Sequence, residues 1–126
     1  MANITLDNNP TTTSGNLPKI GGQAKDFCLI GKDLKEVTLN NFQGERIVMN
    51  IFPSIDTGVC GNSVRNFNTR SGNLSNVKAL CISRDLPFAQ NRFCGAENIE
   101  NALTLSDFVS GNFGKDYGLT ILRGIC

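Results

Sequence analysis

Two stretches of this chain are almost continuously apolar, and one helix-length segment lies between them. Arg46-Ile47-Val48-Met49-Asn50-Ile51-Phe52, ended by Pro53, and Val77-Lys78-Ala79-Leu80-Cys81-Ile82-Ser83 both read as strands buried on both faces of a sheet. Between them the chain turns through Ser54-Ile55-Asp56-Thr57-Gly58, after which Val59, Val64 and Phe67 mark a helical stripe to about Arg70, closed by Ser71-Gly72-Asn73. Strand, helix, strand with room for a crossover is a parallel βαβ unit. The fold class is therefore α/β.

The remaining segments fit around that unit. Ile4 to Leu6 and Thr11 to Thr13 flank the turn residues Asp7-Asn8-Asn9-Pro10 and predict an N-terminal β-hairpin. Gly15 and Pro18 to Gly22 form a connector, and Phe27 to Ile30 and Val37 to Leu39 are short strands around Gly31-Lys32-Asp33. Leu86 to Phe93 reads as a helix with Pro87 in its first turn, where proline is tolerated. Leu103-Thr104-Leu105 suits a short strand and Asn112 to Tyr117 a helical turn. There is no repeat and no low-complexity tail, so residues 1–126 are expected to form a single domain.

Composition excludes much. Twelve basic against 11 acidic residues leave a formal charge of +1, too little to draw the chain to nucleic acid or to an anionic membrane. No apolar run approaches the roughly 20 residues of a spanning helix. The opening Met-Ala-Asn-Ile-Thr-Leu-Asp lacks a charged n-region and an apolar h-region, so a cytoplasmic location is expected. With no histidine at all, a Cys/His pair, a Ser/His/Asp triad and His-ligated zinc or haem are out of reach for this chain alone. The five cysteines, Cys28, Cys60, Cys81, Cys94 and Cys126, contain no C-x-x-C pair, which argues against a structural metal site; no metal and no cofactor is expected. In a reducing compartment they are either buried hydrophobes or redox groups.

Cys60 falls in the first turn of the helix after the central strand, where unpaired N–H groups and the positive end of the helix dipole favour an anion. A thiolate is such an anion, and it is the nucleophilic form. Thr57, three residues earlier, can bring its hydroxyl toward the sulfur and orient a small oxygenated substrate. Pro53 fixes the exit from the strand and leaves no N–H to satisfy. Cys81 and Cys28 lie among apolar neighbours and read as core packing, and Cys126 as an adventitious thiol. Phe52, Phe67, Phe88 and Phe93 read as core aromatics, Arg65, Arg84 and Arg92 as solvated charges, and Asp56 as a turn cap.

Pro53-x-x-x-Thr57-x-x-Cys60 has the form P-x-x-x-T-x-x-C, and with it the chain resembles the thiol peroxidases, the bacterial atypical two-cysteine peroxiredoxin family. The likeness covers Asn50 to Cys60, Leu80 to Ser83 with Asp85 to Gln90, and Arg92 to Glu97, and runs more weakly from Ile4 to Gly118. It implies a thioredoxin-like fold in which Cys60 attacks a hydroperoxide and becomes a sulfenic acid. Thr57 would hold the peroxide and Pro53 would shield the sulfur. Cys94 matches the resolving cysteine, which closes an intrachain disulfide that thioredoxin reduces; the family is typically homodimeric.

The family continues past the position of Gly118 with two more strands, a final helix and a catalytic arginine. Leu122-Arg123-Gly124-Ile125-Cys126 does not follow that pattern, so a C-terminally truncated member is expected. The resemblance then implies an open edge along Ile47 to Phe52 and a loss of transition-state electrostatics. The alternative is a catalytically impaired remnant acting as a non-enzymatic thioredoxin-fold module. A general thioredoxin-type oxidoreductase is disfavoured by the missing C-x-x-C.

Overall fold

A computed structural model describes residues 2–122. Arg123 and Cys126 lie outside them. Strands β1 (Asn3–Leu6) and β2 (Asn9–Thr12) pair antiparallel as the expected hairpin. Its two-residue loop, Asp7 and Asn8, has positive φ at both positions, the backbone that matches the twist of a tight hairpin. Asn9 and Pro10, expected in the turn, belong to β2. The hairpin is tied to the far end of the chain, where Ser14 donates to the Thr120 carbonyl and Leu122 to that of Thr12. Gly118 has φ 69°, and a Cβ there would collide with the Asn16 carbonyl, so this approach requires glycine.

The main sheet contains β3 (Cys28–Ile30), β4 (Glu36–Thr38), β5 (Arg46–Ile51), β6 (Val77–Ser83) and β7 (Ala102–Ser106), in the order β4-β3-β7-β6-β5. The last three are mutually parallel, with Asn50 opposite Cys81 and Cys81 opposite Thr104. Helix α1 (Gly58–Ser71) makes the crossover from β5 to β6, α2 (Pro87–Glu97) that from β6 to β7, and α3 (Asn112–Asp116) follows β7. Pro87 occupies the first turn of α2, as expected, and Asn98 ends the helix in the left-handed conformation.

Why β6 is apolar throughout follows from its alternation. Leu80 and Ile82 join Leu29, Leu105, Phe113 and Tyr117 on one face, while Ala79 and Cys81 join Phe52, Ile55, Cys60 and Val64 beneath the helices on the other. Strand β5 departs from expectation: Val48 is 38% and Ile51 41% exposed. Among the described residues β5 pairs only with β6, so each face of β5 is covered from one side alone. Strand alternation also corrects Cys28, which points outward between the buried Phe27 and Leu29. Phe88, read as core, is 65% exposed at the start of α2. No helix among the described residues is long and apolar enough to cross a membrane.

Candidate active site

The site forms where the carboxyl ends of β5 and β6 meet the N-terminus of α1, as the crevice rule for parallel sheets requires. Thr57 is the N-cap of α1. Its Oγ accepts from the Cys60 N–H at 3.4 Å and donates to the Ser54 carbonyl at 3.1 Å. The sequence places this hydroxyl toward the Cys60 sulfur; the hydrogen bond it makes to that residue is to the backbone N–H. Cys60 itself is 9% exposed, packed with Phe52, Ile55 and Val64, and its carbonyl accepts from the Ser63 hydroxyl at 2.8 Å. Pro53 and Thr57 stand on the exposed side of this turn.

Beneath α1 runs a polar row across the sheet. Asn50 Nδ2 donates to Ser63 Oγ at 3.0 Å and lies 3.8 Å from Cys81 Sγ; Thr104, opposite Cys81, lies 3.8 Å from Cys94 Sγ. Burial pushes the Cys81 thiol up to about 11, although the Asn50 contact pulls the other way. Cys81 is core, as expected. Burial also raises the Cys94 thiol, against the Thr104 hydroxyl and the Lys32 ammonium, which lower it.

Helices α1 and α2 touch through a glycine. A Cβ on Gly61 would lie 3.2 Å from Phe93 Cε2, so the absence of a side chain there lets the Phe93 ring seat against α1. The Arg65 guanidinium lies over that ring, 5.3 Å from its centroid, and also pairs with Glu97 on α2 and with Asn62. Arg65 was expected to be a solvated charge, but its partner Glu97 lies 32 residues further along the chain and only the fold brings it and the Phe93 ring to the guanidinium. Arg92 reaches Asp56 at 3.0 Å, which gives Asp56 an ion-pairing partner in place of the expected capping role. Cys60 and Cys94, both free thiols, therefore sit on neighbouring helices linked by a ring contact and the Arg65–Glu97 ion pair, with Arg92 of α2 also paired to Asp56 in the turn before α1.

One feature of the site has no local signature. The Asp85 carboxylate, just past β6, accepts from Ser54 Oγ at 2.8 Å, the Ile55 N–H at 2.7 Å and Ser83 Oγ at 2.7 Å. The strand-terminal Ser83-Arg84-Asp85 was visible, but its partners 30 residues upstream were not. Among the described residues no group of His, Cys, Asp or Glu is arranged to hold a metal ion.

A Redoxin family profile matches residues 19–125, most of the chain. A curated thiol peroxidase from Corynebacterium glutamicum is 50% identical over 121 residues, which cover 96% of this chain and 73% of that protein. This chain belongs to the thiol peroxidases. The family's chemistry is peroxide reduction, and the thioredoxin-like α/β fold expected from the sequence is the family's fold. The crystal structure of a peroxiredoxin-like protein from Aquifex aeolicus superposes with a TM-score of 0.87 at 35% identity, over 98% of this chain and 71% of that one. The thiol peroxidase from Chromobacterium violaceum gives 0.84 at 19% identity, over 98% and 71%, a likeness of fold.

Proposed function

We propose that this thiol peroxidase, acting as one domain, reduces hydrogen peroxide and organic hydroperoxides through Cys60, with Cys94 as the resolving thiol. The observation that carries the reading is the seat of Cys60: a nearly buried sulfur in the first turn of a helix capped by a hydroxyl three residues earlier. The Cys60 thiolate attacks one peroxide oxygen, the O–O bond breaks, and the other oxygen leaves as water or an alcohol after taking a proton. Cys60 is then a sulfenic acid.

Thr57 orients the substrate in this mechanism. Its proton is committed to the Ser54 carbonyl and one lone pair to the Cys60 N–H, so its second lone pair accepts from the peroxide O–H. Pro53 shields the sulfur on the strand side. The Cys94 thiolate next attacks the Cys60 sulfur, the S–O bond breaks, and hydroxide departs as water with a proton. Because Cys94 is half-buried against Thr104 and carried by α2, closing the bond requires that helix to give locally. A dithiol reductant, thioredoxin by family resemblance, restores both thiols by exchange. The same resemblance supports a homodimer in the cytoplasm.

Steady peroxide consumption with thioredoxin, its reductase and NADPH tests the reading. Cys60→Ser should abolish turnover, and Cys94→Ser should stop after one equivalent with a trappable sulfenic acid at Cys60. Consumption limited to one equivalent in the wild-type chain would instead favour a non-enzymatic module.

A further inference from the structure

The turn that presents Cys60 is not held by its own residues alone. Ser54 and Ile55 follow an exposed proline and both donate to the Asp85 carboxylate, while the exposed Asp56 beside them pairs with Arg92. From that carboxylate a line of hydrogen bonds runs to the cysteine. Ser54 Oγ donates to Asp85, Thr57 Oγ donates to the Ser54 carbonyl, and the Cys60 N–H donates to Thr57 Oγ. In the other direction Ser83 Oγ donates to Asp85 and accepts from Gln90 Nε2 at 3.0 Å. Gln90 is 1% exposed, lies one turn before Cys94 on α2, and is held a second time by the Leu105 carbonyl at 3.0 Å. The Asp85 backbone is fixed as well, its carbonyl accepting from Ser106 Oγ at 2.6 Å.

We infer that Asp85 is a positioning residue for the peroxide reaction, holding the Thr57–Cys60 turn and the Cys94 helix in register from one carboxylate. The inference rests on the assignment of Cys60 as the reacting thiol. Its physical basis is that hydrogen bonds to an ionised acceptor are short and strong, and that this carboxylate accepts directly from the Ser54–Ile55 turn and, through Ser83, is linked to Gln90 on the helix that carries Cys94. Asp85 touches neither the sulfur nor the substrate, so its effect passes through where Thr57 and the α1 N-terminus stand.

The test separates positioning from stability. In single-turnover oxidation by hydrogen peroxide, Asp85→Ala should slow Cys60 by about 30- to 100-fold, the scale of a misplaced reacting group. Alkylation of the same thiol by iodoacetamide, which needs the sulfur but no oriented O–O bond, should change far less. Asp85→Asn should recover most of the rate, because the amide oxygen accepts from Ile55 and Ser83 while its NH₂ donates to a rotated Ser54 hydroxyl. Asn68→Ala, which loosens α1 at its opposite end, should lower stability and leave the peroxide rate unchanged.

If Asp85→Ala does not fold, Ser54→Ala carries the comparison, with an expected loss of about three- to tenfold, because one bond to the carboxylate is removed while the Ile55 N–H still holds the turn to it. A folded Asp85→Ala, or in its place Ser54→Ala, that matches the wild type toward peroxide overturns the inference. So does an Asp85→Ala rate that falls equally for peroxide and iodoacetamide. A wild-type chain whose Cys60 does not react with peroxide at all defeats the underlying assignment instead.

Discussion

Asn50 and Cys81 face each other across the parallel β5–β6 ladder, and the Asn50 amide nitrogen stands 3.8 Å from the Cys81 sulfur. That contact is the polar partner of a fully buried thiol, and it is too weak to offset burial, which holds Cys81 at about 11. At neutral pH the thiol is protonated whether the chain is folded or not. Above about pH 9 the unfolded chain releases this proton while the folded chain keeps it, so stability falls as pH rises toward 11. The full effect is about 2–3 kcal/mol at 1.36 kcal/mol per unit. Cys94 and Tyr117, whose groups are also raised chiefly by burial, act in the same sense. Urea unfolding at pH 7 and pH 10.5 should show Cys81→Ala losing less stability over that interval than the wild type; equal losses would contradict the buried-thiol account.

Thr104 tunes the Cys94 thiol, proposed above to resolve the sulfenic acid. Its hydroxyl, 3.8 Å from the Cys94 sulfur, favours the thiolate against the burial that raises it. Thr104→Val keeps the shape and removes the hydroxyl, so Cys94 should titrate higher still. Site-resolved alkylation at pH 8 should slow by about three- to tenfold, the worth of one modest hydrogen bond. The wild-type alkylation rate in this variant would show the contact to be idle.

What the sequence disclosed is what depends on near neighbours. Cys60 in the first turn of α1, with Thr57 three residues before it, and Pro87 at the start of α2 are relations within one turn, so residue types and spacing suffice to read them; that Thr57, not Asp56, caps the helix came only with the structure. Strand alternation exposes Cys28 between Phe27 and Leu29, and a strict period-2 reading reaches that result. Other features depend on partners far along the chain. The exposure of Val48 and Ile51 is decided by what lies beside β5, and the roles of Arg65 and Asp85 by helices and turns some 30 residues away. No local pattern marks a carboxylate whose donors are Ser54 and Ile55. The local setting of Cys60 was therefore legible, while the distant groups that hold its turn in place were not.

Two interior glycines of the cysteine-bearing helices, Gly61 and Gly95, should respond oppositely to alanine. At Gly95, exposed and with nothing within 4 Å of an added Cβ, Ala should stabilise by about 0.5–1 kcal/mol through helix propensity. At Gly61 the same gain meets Phe93, whose ring is held beneath the Arg65 guanidinium and cannot retreat freely. Overpacking of about 1–3 kcal/mol then outweighs propensity, and Gly61→Ala should be net destabilising. Thermal melts of the two variants check the sign of each; stabilisation at Gly61 would mean that α1 and α2 part easily, contrary to the contacts between them.

Asn68 decides how firmly the end of α1 is fastened to the sheet. Its side-chain oxygen accepts from the backbone N–H of Asn101 at 2.7 Å and of Ala102 at 2.9 Å, at the point where β7 begins. Ala102 is buried, so removing the acceptor leaves a donor without water or a partner. That asymmetry makes Asn68→Ala cost about 1–3 kcal/mol, more than a typical hydrogen bond contributes when both partners are lost together. Asn68→Asp keeps an oxygen in the same place and should lose much less, since a carboxylate accepts both N–H groups as well as the amide did. Urea midpoints for the pair measure the difference. Equal destabilisation by both substitutions would assign the effect to the lost amide nitrogen rather than to the stranded N–H of Ala102.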